Sequence, residues 1–165
     1  MAAIRIVRPH RHAGMRLNGE RITLRPQLKG EDQFSRELVS QLGTTCKESN
    51  VFDRHVVVRK SDGASVGIVE HRVADPANDW ATFGAIVMSD GQRGWGFGSE
   101  AVHLIEEHLL KRAGVRWFRA RIDKRIGLAL YFWLRRGYRP AHPDEAFWPA
   151  HNSDDIISMI RILEE

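Results

Sequence analysis

Cysteine is almost absent from this 165-residue chain: Cys46 is the only one. An intrachain disulfide and a multi-cysteine metal site are both excluded, and a reducing compartment is the expected setting. No apolar run approaches the ~18 residues that a membrane-spanning helix needs. The chain also lacks internal repeats, low-complexity tracts and linkers, which predicts one domain with room for a real hydrophobic core. Residues Met1–Ala13 are basic and lack the apolar stretch of a secretion signal. Together with the cysteine usage, this predicts a cytoplasmic protein.

Acidic residues are scarce in one place. Residues 1–30 hold seven arginines and lysines against the single acid Glu20, while the rest of the chain holds eighteen basic and twenty acidic residues. The basic excess is therefore a local feature, and residues 1–16 read as a basic arm or edge strand ahead of a domain over 17–165. A phosphate-tracking arm for nucleic acid is one reading of it. The near-neutral remainder argues against nucleic acid as the partner.

What is present alternates between strand and helix signals. Arg21–Pro26 alternates like a strand and stops at proline. Phe34, Leu38 and Leu42 recur at helical spacing over 31–42, and Gly43 can end that helix. His55–Arg59, Ser65–Ala74 and Trp80–Met88 read as strands, separated by the Ser61-Asp62-Gly63 turn and the Asp75–Asp79 breaker, an antiparallel meander. Then the order changes to helix (Ser99–Ala113), strand (Val115–Ile122), helix (Ile126–Arg136) and strands from Tyr138 and over Ile156–Leu163. Lys111, Arg112 and Gly114 suit the C-terminus of the first of these helices. The order predicts an α+β (mixed α/β) single domain with a central mixed, mostly antiparallel sheet flanked by helices.

Between the meander and the second half lies Arg93-Gly94-Trp95-Gly96-Phe97-Gly98-Ser99, with glycine at every second position. Glycine accepts positive φ and lets another group approach the backbone. The first N–H groups of the helix that follows lack intrahelical partners and carry partial positive charge. A turn of this kind suits an anionic phosphate. A tight turn needing glycine for geometry alone is the competing reading. A Walker loop would need Gly-Lys-Ser/Thr, which is absent. A Rossmann loop would follow the first strand of a parallel unit and have an acidic residue about 20 residues on, and neither condition is met.

Ile86-Val87-Met88 followed by Arg93-x-x-Gly96-x-Gly98 resembles the acetyl-coenzyme-A signature of the GNAT acyltransferase superfamily, and Ala129…Gly137-Tyr138-Arg139-Pro140 resembles its second block. The resemblance spans roughly residues 20–163 and implies a GNAT-like fold. It implies that Ile86, Val87 and Met88 pair with the pantetheine arm of acetyl-CoA. It also implies that the amides of Arg93, Gly94, Trp95, Gly96, Phe97, Gly98 and Ser99 hold the pyrophosphate. Arg93 could add a charge-assisted contact to a phosphate. The implied reaction is direct attack of a primary amine on the acetyl thioester through a tetrahedral oxyanion, with no metal. It needs a base, N–H donors and an acid for the thiolate.

The acid is where the sequence departs from the resemblance. The family's Asn and Tyr fall on Ile126 and Trp133 counting back from Gly137, and on Lys124 and Tyr131 counting forward from the preceding strand. Tyr131 and Trp133 lie about 200° apart on a helix, so one at most faces the thiol. Tyr131 is the candidate acid because it is the polar residue of that stretch. Glu70 is the candidate base; His71, on the opposite face of the same strand, and Asp123, at a strand end, are alternatives. The expected acceptor is a small-molecule amine or a peptide N-terminus. The Gly-Ser-Glu-Ala helix start and Ile22–Pro26 resemble the branch that acetylates ribosomal-protein N-termini. A GNAT-like acyl-CoA-binding module that has lost catalysis is the other reading, motivated by Trp133 and Ile126. Acceptor contacts would fall in Leu42–Arg54, Asp75–Asp79 and Ala141–Asp155. Exposed strand edges could pair two copies into a homodimer.

Overall fold

Successive strands rich in β-branched residues pair with one another in sequence order through the first half of the chain. The structure, a computed structural model, describes residues 14–40, 52–73, 80–145 and 155–164. Most of the basic arm, Leu42 and Gly43, and the 75–79 turn lie outside the described residues.

The strands are β1 (Leu17–Asn18), β2 (Ile22–Pro26), β3 (Asp53–Arg59), β4 (Ser65–Val73) and β5 (Trp80–Met88), with α1 (Asp32–Ser40) between β2 and β3. After the glycine turn come α2 (Phe97–Ala113), β6 (Trp117–Asp123), α3 (Gly127–Arg135), β7 (Arg139–Pro140) and β8 (Ile156–Ile162). The sheet order is β1-β2-β3-β4-β5-β6-β8-β7, and β5–β6 is its parallel pair. The expected α+β domain with a mostly antiparallel mixed sheet is what forms. The sequence reading missed β1, which is two residues long and too short to show alternation. Both outer strands of the sheet are two residues long, leaving short edges for pairing between copies.

The two faces of the sheet carry different layers. Val57, Val69, Phe83, Phe118 and Met159 pack under α2 with Val102, Ile105 and Leu109. Ile68, Ala85 and Val87 pack under α1 with Leu38 and Phe34. Helix α2 ends as the sequence predicts: Gly114 sits at φ 66° and its N–H donates to the carbonyls of Leu109 and Leu110.

β5 contains the irregularity that positions everything else. Phe83 pairs with His71 and Ile86 with Val69, so β5 spends one residue more than β4 over the same stretch. This bulge at Gly84–Ala85 explains why Phe83 and Ile86, three apart, share the α2 face while Ala85 and Val87 face α1. Pairing with β6 runs from Trp80↔Trp117 to Phe83↔Ala120 and stops there. Beyond it β6 continues with β8, so among the described residues Gly84–Met88 pair with no strand on the β6 side.

Candidate functional site

The open edge of β5 runs directly into the glycine turn. Gly94 and Gly96 take φ of 81° and 83°, the left-handed region that favours glycine. A Cβ on Gly94 would meet nothing within 4 Å, so the turn's backbone faces open space. Helix α2 starts at Phe97 with Gly96 as its N-cap and no side-chain capping bond. Its first amides thus stay available to an anion. The turn that the sequence assigns to a pyrophosphate carries left-handed glycines and a helix start with no side-chain cap. Gly98 faces Ile86 and Phe132, with a built Cβ 3.5 and 3.6 Å from their side chains. This joins the turn, the β5 edge and α3 in one place.

Two arginines far away in sequence brace the turn, and neither was visible in the motif. Arg21 donates from Nη1 to the Trp95 carbonyl at 2.7 Å, and its guanidinium lies 5.1 Å from the Phe97 ring centre. Arg59 donates from Nη1 to the Gln92 side chain at 2.6 Å. Glu100, in the first turn of α2, accepts from the backbone N–H groups of Arg21 (2.8 Å) and Ile22 (3.3 Å), tying the β1–β2 turn to α2. Of the predicted turn residues, Arg93 donates from Nε to the Met88 carbonyl at 3.2 Å and pairs with Asp90 at 3.4 Å. Trp95 is exposed, with its indole N–H on the Gly91 carbonyl.

On the other face of the sheet, Glu70 is 1% exposed beside the bulge. Arg54, its cross-strand partner on β3, donates to Oε1 from both Nε (2.7 Å) and Nη2. Oε2 has no hydrogen-bond partner among the described residues and lies 3.2 Å from where a Cβ on Gly84 would be. His71 is buried on the α2 face, its ring 5.4 Å from that of His55. Asp123 accepts from Arg125 through both carboxylate oxygens, which holds it down at about 2 and makes it a poor base.

Helix α3 separates the two aromatic candidates. Trp133 is in the core, 5.5 Å from Phe83 and 4.6 Å from Tyr138 between ring centres. Tyr131 is 57% exposed, and its hydroxyl accepts from Arg135 Nη1 at 3.2 Å. Phe132, between them, is the α3 side chain against Gly98. Ile126 is exposed, and Lys124 lies in the turn before α3. Among the described residues no cluster of His, Cys, Asp and Glu is arranged to hold a metal, and no helix is long and apolar enough to cross a membrane.

No protein-family model and no curated protein matches this sequence. The likeness to known proteins is one of shape. A GCN5-related N-acetyltransferase from Brucella melitensis superposes with a TM-score of 0.69 at 15% identity, covering 90% of this chain and 79% of its own. A protein described as a ribosomal-protein-serine acetyltransferase from Vibrio cholerae gives 0.69 at 16%, covering 92% of this chain and 99% of its own. The spermidine/spermine N-acetyltransferase of the same organism gives 0.63 at 17%, with 86% and 92% covered. With the opened β5 edge and the glycine turn in place, the chain has the fold of the GCN5-related N-acetyltransferases.

Proposed function

We propose that the protein is an acetyl-CoA-dependent N-acetyltransferase acting on a primary amine, of a small molecule or a protein N-terminus, in the cytoplasm. The observation that carries this reading is the bulge at Gly84–Ala85, which opens β5 from β6 so that a free strand edge leads into a glycine turn. Acetyl-CoA supplies an acetyl thioester, and its pyrophosphate and pantetheine fit the turn amides and the Ile86–Met88 edge. Donor and acceptor then meet at the opening from opposite faces, the turn on the α2 side and Glu70 on the α1 side.

Glu70 takes the proton of the incoming ammonium through Oε2, directly or across one water, while Arg54 fixes the carboxylate. Main-chain N–H groups on the open β5 edge donate to the carbonyl oxygen as it gains charge. Tyr131 returns a proton to the departing sulfur. The other tyrosine, Tyr138, is locked on Glu106, and Trp133 is packed in the core.

Calorimetric titration with acetyl-CoA tests the reading. The natural protein binds, and Gly96→Glu abolishes binding, because residue 96 sits at φ 83° with Arg21 Nη2 3.0 Å from its Cβ position and because the added carboxylate repels phosphate. Glu70→Gln lowers the rate of thiol release by about 100-fold or more while acetyl-CoA affinity stays put. Absence of binding in the natural protein would sink the proposal. The exposed, Arg135-bonded hydroxyl of Tyr131 favours a second reading, an acyl-CoA-binding module without catalysis. Acetyl-CoA binding with no thiol release across an amine panel would select it.

A further inference from the structure

Beyond α1, the sheet face that carries Glu70 is crossed by arginines. Arg72 on β4 pairs in register with Thr82 on β5, and Thr82 with Arg119 on β6. These three residues therefore form one row across the sheet, and Arg121 lies two residues further along β6 on the same face. Arg119 is 5% exposed, donates from Nη2 to Thr82 Oγ1 at 3.2 Å, and lies 6.0 Å from the Trp80 ring centre. Trp80 and Trp117, with rings 4.8 Å apart, wall the same end. Arg72 and Arg121 are half-buried.

The row sits where an acceptor would approach. Arg72 is two residues from Glu70 on β4, about 7 Å along the strand, and Arg121 is the first β6 residue on this face beyond the last β5–β6 pair, Phe83↔Ala120. Each of the three arginines is engaged within the chain; what recommends the site is three guanidinium groups gathered on a face whose described strand acids, Glu70 and Asp123, are held by other arginines, Arg54 and Arg125. Burial, and then the charges of Arg121 and Arg72, push the Arg119 guanidinium down to about 10. Like charges gathered in a half-buried strip cost free energy that a bound anion offsets, and guanidinium matches carboxylate and phosphate in two-pronged geometry.

Resting on the acetyltransferase reading above, we propose that the acceptor is an amine that also carries an anionic group, a carboxylate or a phosphate, held by Arg72, Arg119 and Arg121 while Glu70 faces the amine. The same strip repels polycations, so the acceptor differs in charge from the spermidine named for one structural neighbour.

The test is a matched amine panel with saturating acetyl-CoA: γ-aminobutyrate, phosphoethanolamine, butylamine and spermidine, followed by thiol release. The natural protein has kcat/KM at least about tenfold higher, some 1.4 kcal/mol, for one of the two acidic amines than for butylamine or spermidine. The γ-aminobutyrate and phosphoethanolamine arms separate carboxylate from phosphate. Arg121→Gln, half-buried and so tolerant of replacement, removes that preference through KM and leaves butylamine turnover within about twofold. Equal use of butylamine or spermidine, or an equal loss on every amine in Arg121→Gln, overturns the proposal. If acetyl-CoA binds and no amine is acetylated, it is the transferase reading that fails. Calorimetric titration of γ-aminobutyrate and phosphoethanolamine into the CoA-loaded protein then decides the strip by itself. Binding that is lost in Arg121→Gln upholds an anion site, and no binding of either overturns it.

Discussion

Glu106 is a buried acid with three side-chain partners. It lies on α2, is 1% exposed, and accepts from the Tyr138 hydroxyl at 2.7 Å and from Arg161 Nη1 at 2.8 Å, with Arg136 Nη2 at 3.6 Å. These contacts join α2 to β8 and to the end of α3, just behind Trp133. Burial, and next the Glu106 carboxylate, push the Tyr138 phenol well above its usual range, so the hydroxyl remains a donor at every accessible pH. Glu106→Ala removes the acceptor and leaves two guanidinium groups and a phenol around a gap, at a cost of about 3 kcal/mol. For a domain of this size that is roughly 6–12 °C in Tm. Tyr138→Phe removes one neutral donor and costs about 1 kcal/mol plus whatever the carboxylate loses. Urea unfolding of both variants checks the order. If Glu106→Ala is no worse than Tyr138→Phe, the charge network is not what holds this corner.

Elements were legible in the sequence where their signals are local. The strands from β2 to β8, both later helices and the Gly114 cap follow from periodicity and punctuation within a dozen residues. The glycine turn was legible for the same reason: glycine at every second position announces its backbone shape. The bulge was not. It exists because β5 must pair with β4 on one side and leave β6 on the other, a tertiary demand that Phe83-Gly84-Ala85-Ile86 meets without an obvious mark. The residues that brace the site were hidden by distance: Arg21 lies 79 positions from Glu100, and Arg54 lies 16 from Glu70. The Arg21–Glu100 link belongs to this scale because it joins a hairpin to a helix. Glu100→Ala leaves the N–H groups of Arg21 and Ile22 without their acceptor. Amide exchange at those two positions speeds up by about tenfold or more, with exchange in β4–β5 unchanged. On the acetyltransferase proposal, acetyl-CoA affinity falls in step, because Arg21 no longer steadies the Trp95 carbonyl. Unchanged exchange at Arg21 and Ile22 would show that the hairpin is held by strand pairing alone.

At the scale of the whole molecule, the α2 side of the sheet buries imidazoles as well as the Glu106 network. His55 and His71 are fully buried on β3 and β4, and His108 on α2 bears on His55. Burial, opposed in part by the nearby Met15 backbone and reinforced by His108, pushes His55 down to about 4. His108 is also lowered, first by burial and then by Arg112. A histidine whose folded-state pKa is depressed binds its proton more readily once the chain unfolds. Stability is therefore full above about pH 6.5 and declines as pH falls from there toward 4. His55 alone contributes a drop of about 3 kcal/mol across that window, at a slope near 1.4 kcal/mol per pH unit. The carboxylates of Asp62, Asp123 and Glu145, each held at about 2 by an arginine, act in a lower window. Their folded-state pKa lies below the unfolded value, so what they add is lost only as pH falls from about 4 to 2. Acid unfolding thus has two stages of different origin, and a variant separates them. In His55→Gln the urea midpoint varies less between pH 6.5 and 4.5 than in the natural protein, while the fall below pH 4 is retained. A midpoint in the natural protein that stays level down to pH 4.5 would mean that water reaches these rings, and that the layer under α2 is looser than its packing implies.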